Sequence, residues 1–490
     1  MIRHGKAQFE GLNYFCNLAH DQDVIAGRFG RMFPGLNGLY TDPRVLAELG
    51  AVDGPMDGGR DPDRSDTIDV GMVFFAQFLD HDITLDTSSS LSRVNTPSDI
   101  ENIRTPTLDL DCIYGDGPEG SPYLYAARKR FRSSRRTDPL DESLIYLVTS
   151  EDGTAISRPN NRDIRSNDLS RAANGRALIG DPRNDENRVL SQIQLAFHKL
   201  HNRVVDKLRR EHPDHDAHEI FEEARHLVTA HYHWAVLYDF LPTICGSQVV
   251  HDILHYGRKA YCVGSFLPFI PVEFSVAAFR FGHTLVPQTV QIQRGEPARA
   301  LFGDLFGKGF TALENVEGIV DLDEIFTTAR NRQVQRAEKM NTKFARTLLK
   351  LPAGIASNPS SLAVRNLERG QSFMLPSGEA VSRALGIEDT VIDSVSQAAD
   401  TASGGKLDGC TPLFFYMLIE AETIGRQDID EAAKPGEGLG PMGARLVAEV
   451  IIGLMELDPR SFLSTNRKWS PADGLGEDVR TVGEMLTYDL

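Results

Sequence analysis

Phe74-Phe75-Ala76-Gln77-Phe78-Leu79-Asp80-His81-Asp82 is the stretch of this 490-residue chain that decides its fold. Its apolar residues demand burial, yet Gln77, Asp80, His81 and Asp82 lie among them. Burying such polar groups without partners costs about 2–7 kcal/mol each. Val70, Val73, Phe74, Gln77 and His81 follow a 3/4 spacing, which predicts a helix over 68–83 with Gln77 and His81 on one face. Asp80 sits about 100° round that helix from His81, and Asp82 points elsewhere again. A buried helix that aims functional groups in three directions suggests a cofactor site.

Working outward, apolar spacing and Pro/Gly stops predict further helices over about 188–211, 216–240, 272–283, 321–350, 375–386, 412–424 and 439–456. Strand alternation is scarce. Long loops such as Asp53–Asp66 and Thr84–Pro106 separate the helices, and loops of this length in a compact protein are usually functional or mobile. No repeat or linker divides the chain. It reads as one mainly α domain over 1–490, with 1–27 as an N-terminal arm, long loops and little sheet.

The chain is 41% hydrophobic, 25% charged and 8% aromatic, an ordinary globular composition with enough apolar residues for a large core. A formal charge of −17 argues against nucleic acid or an anionic membrane as partner, since both would repel it. No apolar run reaches the length of a membrane span. Met1-Ile2-Arg3-His4-Gly5 lacks the apolar core of a signal peptide, so the expectation is a cytoplasmic protein or one exported without such a signal. The five cysteines (Cys16, Cys112, Cys245, Cys262, Cys410) are odd in number and widely spaced. They read as buried thiols in a reducing compartment.

Four further segments carry chemistry. In Thr105-Pro106-Thr107-Leu108-Asp109-Leu110-Asp111, oxygen-bearing side chains recur at every second position. In an extended loop they converge on one side, as a hard cation such as Ca²⁺ requires, and Asp82 could add a carboxylate. A solvated acidic turn is the bland alternative. Gly180-Asp181-Pro182-Arg183-Asn184-Asp185-Glu186 reads as a helix start, with Arg183 and Glu186 on one face; alternatively these two are a plain i,i+3 ion pair. Ala278-Phe279-Arg280-Phe281-Gly282-His283 offers a lone His beside a Gly that lets a flat macrocycle approach the backbone; a core His fits equally well. Leu362–Gly370 offers Asn366 to an imidazole N–H and Arg369 to a carboxylate, or is simply a polar helix end. His198 and His201, and the triplet His226, His231 and His233, read as structural.

In this order, these segments resemble the animal-type haem peroxidases of the peroxidase-cyclooxygenase superfamily, the family of myeloperoxidase and lactoperoxidase, in its bacterial branch. The resemblance runs from about Arg28 to Leu439–Arg445. It implies the myeloperoxidase-like helical fold and haem b. His81 falls on the distal acid–base catalyst, with Gln77 beside it. Asp80 and Glu186 fall on the carboxyls that can esterify the haem, and Arg183 on the distal Arg. His283 falls on the iron ligand, with Asn366 as its hydrogen-bond partner. Arg369 falls where the family holds a haem propionate, and Arg280 one turn before the ligand. Asp82, Thr105, Thr107 (through its carbonyl), Asp109 and Asp111 fall on the Ca²⁺ ligands. The implied reaction is reduction of H₂O₂ through an oxoferryl state, with oxidation of a phenolic or aromatic donor, a halide or a pseudohalide. Asn187 replaces the Met that forms myeloperoxidase's sulfonium link, so at most two esters are expected. Rival expectations are a cyclooxygenase-like fatty-acid dioxygenase, a non-catalytic haem and calcium-binding protein, and a cofactor-free helical scaffold. The first needs a Tyr three residues before the iron ligand, where this chain has Arg280.

Overall fold

The computed structural model describes residues 28–125, 143–145, 164, 167–261, 267–356 and 358–488. The expected N-terminal arm over 1–27, Cys16 and Cys262 lie outside them. Ten helices of seven or more residues dominate the described chain: α1 (Pro43–Leu49), α2 (Val70–Ile83), α3 (Arg188–Glu211), α4 (Ala217–Ala235), α5 (Ser247–Tyr256), α6 (Leu362–Ser372), α7 (Gly378–Ala384), α8 (Asp389–Ser403), α9 (Leu413–Thr423) and α10 (Pro441–Leu457). Sheet is confined to three two-stranded pieces. β1 (Phe29–Gly30) pairs parallel with β3 (Ile270–Pro271). β2 (Arg64–Asp69) and β4 (Thr289–Val290) pair antiparallel with β6 (Arg336–Glu338) and β5 (Arg299–Ala300) respectively. No helix among the described residues is long and apolar enough to cross a membrane.

The core is built around α2. Only Gln77 and Asp80 of its 14 residues escape full burial, so it is apolar on nearly every side, as a helix enclosed by others must be. β2 leads into it, and Gly71 lets its first turn close on the chain at Ile325, where a Cβ would meet the carbonyl oxygen at 2.6 Å. Behind α2, Phe78 stacks on Phe197 of α3 with centroids 4.7 Å apart, and Phe75 and Phe78 both meet Tyr232 of α4 edge-on. α3 starts where the Asn187 side chain accepts from the Leu190 amide, and α4 where Asp216 and Glu219 form a capping box. Phe78→Ala should therefore cost about 3–5 kcal/mol. Urea unfolding of the two proteins measures it, and a loss below about 1 kcal/mol would show that α2 does not rest on this stack.

Several sequence expectations need correction. No long helix spans 321–350: a four-residue turn, Leu322–Ile325, is followed by loop, β6 and a 3₁₀ turn at Arg346–Leu349. Thr328 Oγ1 accepts from the amides of Arg330 and Asn331, and Asn331 Nδ2 donates to the Asp323 carbonyl. Such local side-chain bonds compete with the helix. The segment over 272–283 is split into a π turn (Glu273–Ala277), a 3₁₀ turn (Ala278–Phe281) and the helical turn Gly282–Leu285. Gly180–Glu186 does not open the long helix either: Pro182–Asp185 is a separate 3₁₀ turn. α8 escaped the sequence reading because it is rich in Asp, Ser, Thr and β-branched residues, all middling helix formers. Its buried Ile392, Val395 and Ala399 hold it by packing. Cys112 and Cys245 are buried as expected, but Cys410 is exposed.

Candidate functional site

The polar groups of α2 diverge, as their spacing predicts, and each finds its own partners. His81 Nδ1 lies 2.7 Å from Asn184 Oδ1. Asn184 Nδ2 donates to Gln194 Oε1 at 2.7 Å, and Gln194 Nε2 in turn donates to the Cys112 carbonyl at 3.1 Å. This chain fixes the Asn184 amide with its oxygen toward the imidazole, so His81 carries its proton on Nδ1 and keeps a lone pair on Nε2. Burial, and then the charge of Arg183, hold the imidazole pKa down to about 3, so it is neutral at pH 7. Gln77 bonds Glu186 and also accepts from Asn187 Nδ2 at 3.1 Å. Burial pushes Glu186 up to about 7 and raises Asp80, whose Oδ1 accepts from Thr84 Oγ1 at 2.9 Å.

Val73, Phe74, Gln77, Asp80, His81, Glu186, Arg280, Gly282 and His283 share one cavity of about 310 Å³, closed by apolar side chains such as Phe279, Leu301, Phe302 and Leu348. His81 and His283, 202 residues apart in sequence, meet here. A Cβ on Gly282 would meet nothing within 4 Å, so the backbone there faces open space. His283 Nδ1 lies 2.9 Å from Asn366 Nδ2 of α6, and Asn366 Oδ1 accepts from Arg280 Nη1 at 3.2 Å. Burial, reinforced by Arg280, holds His283 down to about 3. Neither His81 Nε2 nor His283 Nε2 has a hydrogen-bond partner among the described residues.

Arg183 does not line the cavity. Its guanidinium is held by Asp181, at 3.1 Å from Nε and 2.7 Å from Nη2, and Nη2 also donates to the carbonyls of His81 (3.1 Å) and Thr84 (2.7 Å). Its ion-pair partner is thus Asp181 rather than Glu186. Arg369, one turn along α6 from Asn366, donates to Ser89 Oγ and likewise lies outside the cavity lining.

On the far side of α2, Asp82, Asp109 and Asp111 bring carboxylate oxygens within 4.8 Å of one another, all buried. Among the described residues no other group of three or more His, Cys, Asp or Glu side chains is placed to hold a metal. Burial, with Asp111 and Asp109 beside it, raises Asp82 well above the usual carboxylate range. Thr105 and Thr107 are buried next to the cluster in sequence, and Thr107 Oγ1 has no hydrogen-bond partner. Three further histidines, His201, His231 and His233, are held by bonds within the packed interior. His201 bonds the Tyr114 hydroxyl and the Ser143 carbonyl, His231 accepts from the Leu475 amide, and His233 bonds the Leu108 carbonyl.

Asn184, Gln194, Asp181 and Arg104 were not singled out in the sequence. Asn184 and Asp181 flank Arg183, and that position is their one signal in the sequence. Gln194 and Arg104 gave no signal, because their roles depend on contacts across 82 and 77 residues.

A family model described as animal haem peroxidase matches residues 89–403. Dual oxidase 1 of Rattus norvegicus is 24% identical over 400 residues, covering 76% of this chain and 23% of the relative. A peroxidase-like protein of Margaritifera margaritifera is 24% identical over 413 residues, covering 76% and 51%. The chain spans 7–23% of the length of the dual oxidases it matches. Among solved structures, peroxidase A from Dictyostelium discoideum superposes with a TM-score of 0.57 at 15% identity over 94% of both chains. Fatty acid alpha-dioxygenase from Arabidopsis thaliana has the same TM-score at 14% identity, over 94% of this chain and 75% of that one. The fold is shared with both, and the match over residues 89–403 makes this chain a member of the animal haem peroxidase family.

Proposed function

We propose that this chain is a haem-dependent peroxidase that reduces H₂O₂ and oxidises a small donor: a phenol or other aromatic, a halide or a pseudohalide. The observation that carries the reading is the pair of neutral imidazoles, His81 and His283, in one largely apolar cavity, each with Nδ1 engaged and Nε2 free. The cavity fits haem, the cofactor the family implies. It offers an imidazole nitrogen, a glycine backbone open to a flat ring, and two carboxyls, Asp80 and Glu186.

Haem iron, when bound, supplies the redox chemistry of O–O cleavage. His283 would hold the iron through Nε2. Its Nδ1 then carries the proton and needs an acceptor, so the Asn366 amide would turn its oxygen to the ring and give up its bond from Arg280. His81 Nε2 takes the proton from peroxide and returns it to the departing oxygen. Gln77 lies one turn away on the same wall and orders the peroxide. Arg183 puts positive charge at the end of α2, favouring both a neutral His81 and the negative charge that develops during cleavage. Arg369 is available to a propionate. Asp80 and Glu186 are the side chains that would form the esters, and burial raises both above the usual carboxylate range. Asp82, Asp109, Asp111 and the Thr105–Thr107 loop would hold Ca²⁺ and brace α2.

H₂O₂-dependent oxidation of guaiacol and of bromide, measured beside oxygen uptake with linoleate, tests this reading. Peroxide-driven turnover without linoleate-driven oxygen uptake is expected, because Arg280 stands where a cyclooxygenase-like enzyme needs Tyr. The reverse pattern would assign the chain to fatty-acid oxygenation.

A further inference from the structure

We infer that Arg104 is a positioning residue that couples the cation site to Arg183. The inference rests on the cation reading of Asp82, Asp109 and Asp111 given above and goes beyond it. Arg104 Nη1 donates to Asp111 Oδ1 at 3.0 Å, and Nη2 to the Gly180 carbonyl at 3.3 Å. Its Nε forms an ion pair with Asp181 Oδ2 at 3.1 Å. Asp181 then grips Arg183 through both carboxylate oxygens, and Arg183 reaches the carbonyls of His81 and Thr84. Four alternating charges, Asp111, Arg104, Asp181 and Arg183, thus run from the cation cluster to the last turn of α2.

The first three are almost completely dry, with side chains 3%, 5% and 0% exposed. Solvent and salt screen such an array far less than surface charges, so a change at one end alters how each inner group is shared. A cation on Asp111 draws on the carboxylate that Arg104 otherwise shares, and Arg104 then leans on Asp181. Asp181 is the same carboxylate that holds Arg183. The Arg104 guanidinium hydrogen-bonds Asp111 and pairs with Asp181 through charge, without a directed Nε bond; a lysine ammonium in its place keeps the charge but loses the two-sided placement.

Coupling between two sites is reciprocal, so it can be read at the cation end without measuring activity. The probe is Ca²⁺, titrated calorimetrically into the full-length, haem-loaded protein after chelation. Asp181→Asn leaves every proposed cation ligand in place but commits Arg104 to Asp111, where it competes with the cation. The expected result is Ca²⁺ affinity weakened by about 5–150-fold. In an Arg104→Lys background, adding Asp181→Asn should change the affinity by no more than about twofold, the usual scatter for independent sites. Arg104→Gln is the second background, in case the lysine variant does not fold. An Asp181→Asn effect of the same size in either folded background overturns the coupling, as does no effect in the wild-type background. Absence of Ca²⁺ binding in the parent protein overturns the cation reading together with the coupling.

Discussion

His81→Ala is expected to slow the reaction of the haem-loaded protein with H₂O₂ by about 10²–10⁴-fold, the usual contribution of a positioned general acid–base group. The basis is the tautomer. Asn184 is held by Gln194 in the orientation that accepts a hydrogen bond from His81 Nδ1, so the lone pair that can take the peroxide proton is on Nε2. Burial holds that imidazole down to about 3, so its base form persists well below neutrality. The rate constant should therefore be flat from about pH 5 to pH 8, without the fall near pH 6.5 that an ordinary histidine would give. Stopped-flow mixing with H₂O₂ measures both effects. A rate within about threefold of wild type in His81→Ala would remove His81 from the proton transfer.

Removing Ca²⁺ from the proposed site should destabilise the protein measurably. At a free Ca²⁺ concentration one hundred times its Kd, a single site contributes about 2.7 kcal/mol. Chelation should lower Tm by about 2–3 °C for a chain of this length, with full recovery on adding Ca²⁺ back. The sign of the accompanying pH dependence follows from Asp82, raised by burial and by its two acidic neighbours. A carboxyl raised in the folded state loses its proton more readily in the unfolded chain. Its stabilising contribution is thus complete below about pH 4 and is lost as pH rises toward the folded value. The chelated protein should therefore weaken as pH climbs from about 4, by at most about 1.4 kcal/mol per pH unit for each proton involved. The Ca²⁺-loaded protein should be insensitive over the same range. Differential scanning calorimetry with and without EDTA reads both, and identical pH profiles would remove the cation from this site.

The sequence was most informative where polar residues broke an apolar run. α2 was legible because Gln77, Asp80, His81 and Asp82 had no business in a buried helix unless each had a partner, and each does. The same logic found His283 beside Gly282, and Asn366 three residues before Arg369. What stayed hidden was the layer that orients these groups. Gln194 reads as one more polar position on a long helix, and its meaning comes only from packing against Asn184 and the Cys112 carbonyl. Arg104 reads as a loop arginine until two acids from different segments close on it. Helix ends and broken helices were also poorly legible. Thr328 and Asn331 divert their own backbone, whereas α8 is helical despite its composition because its apolar face is buried.

Peroxidase function is tested most directly by the visible spectrum of the purified, haem-loaded protein before and after one equivalent of H₂O₂. A histidine-ligated ferric haem is expected, whose absorption changes within the mixing time and returns to the starting spectrum when guaiacol or bromide is added. A haem spectrum that ignores peroxide, or a protein that takes up no haem, would contradict it.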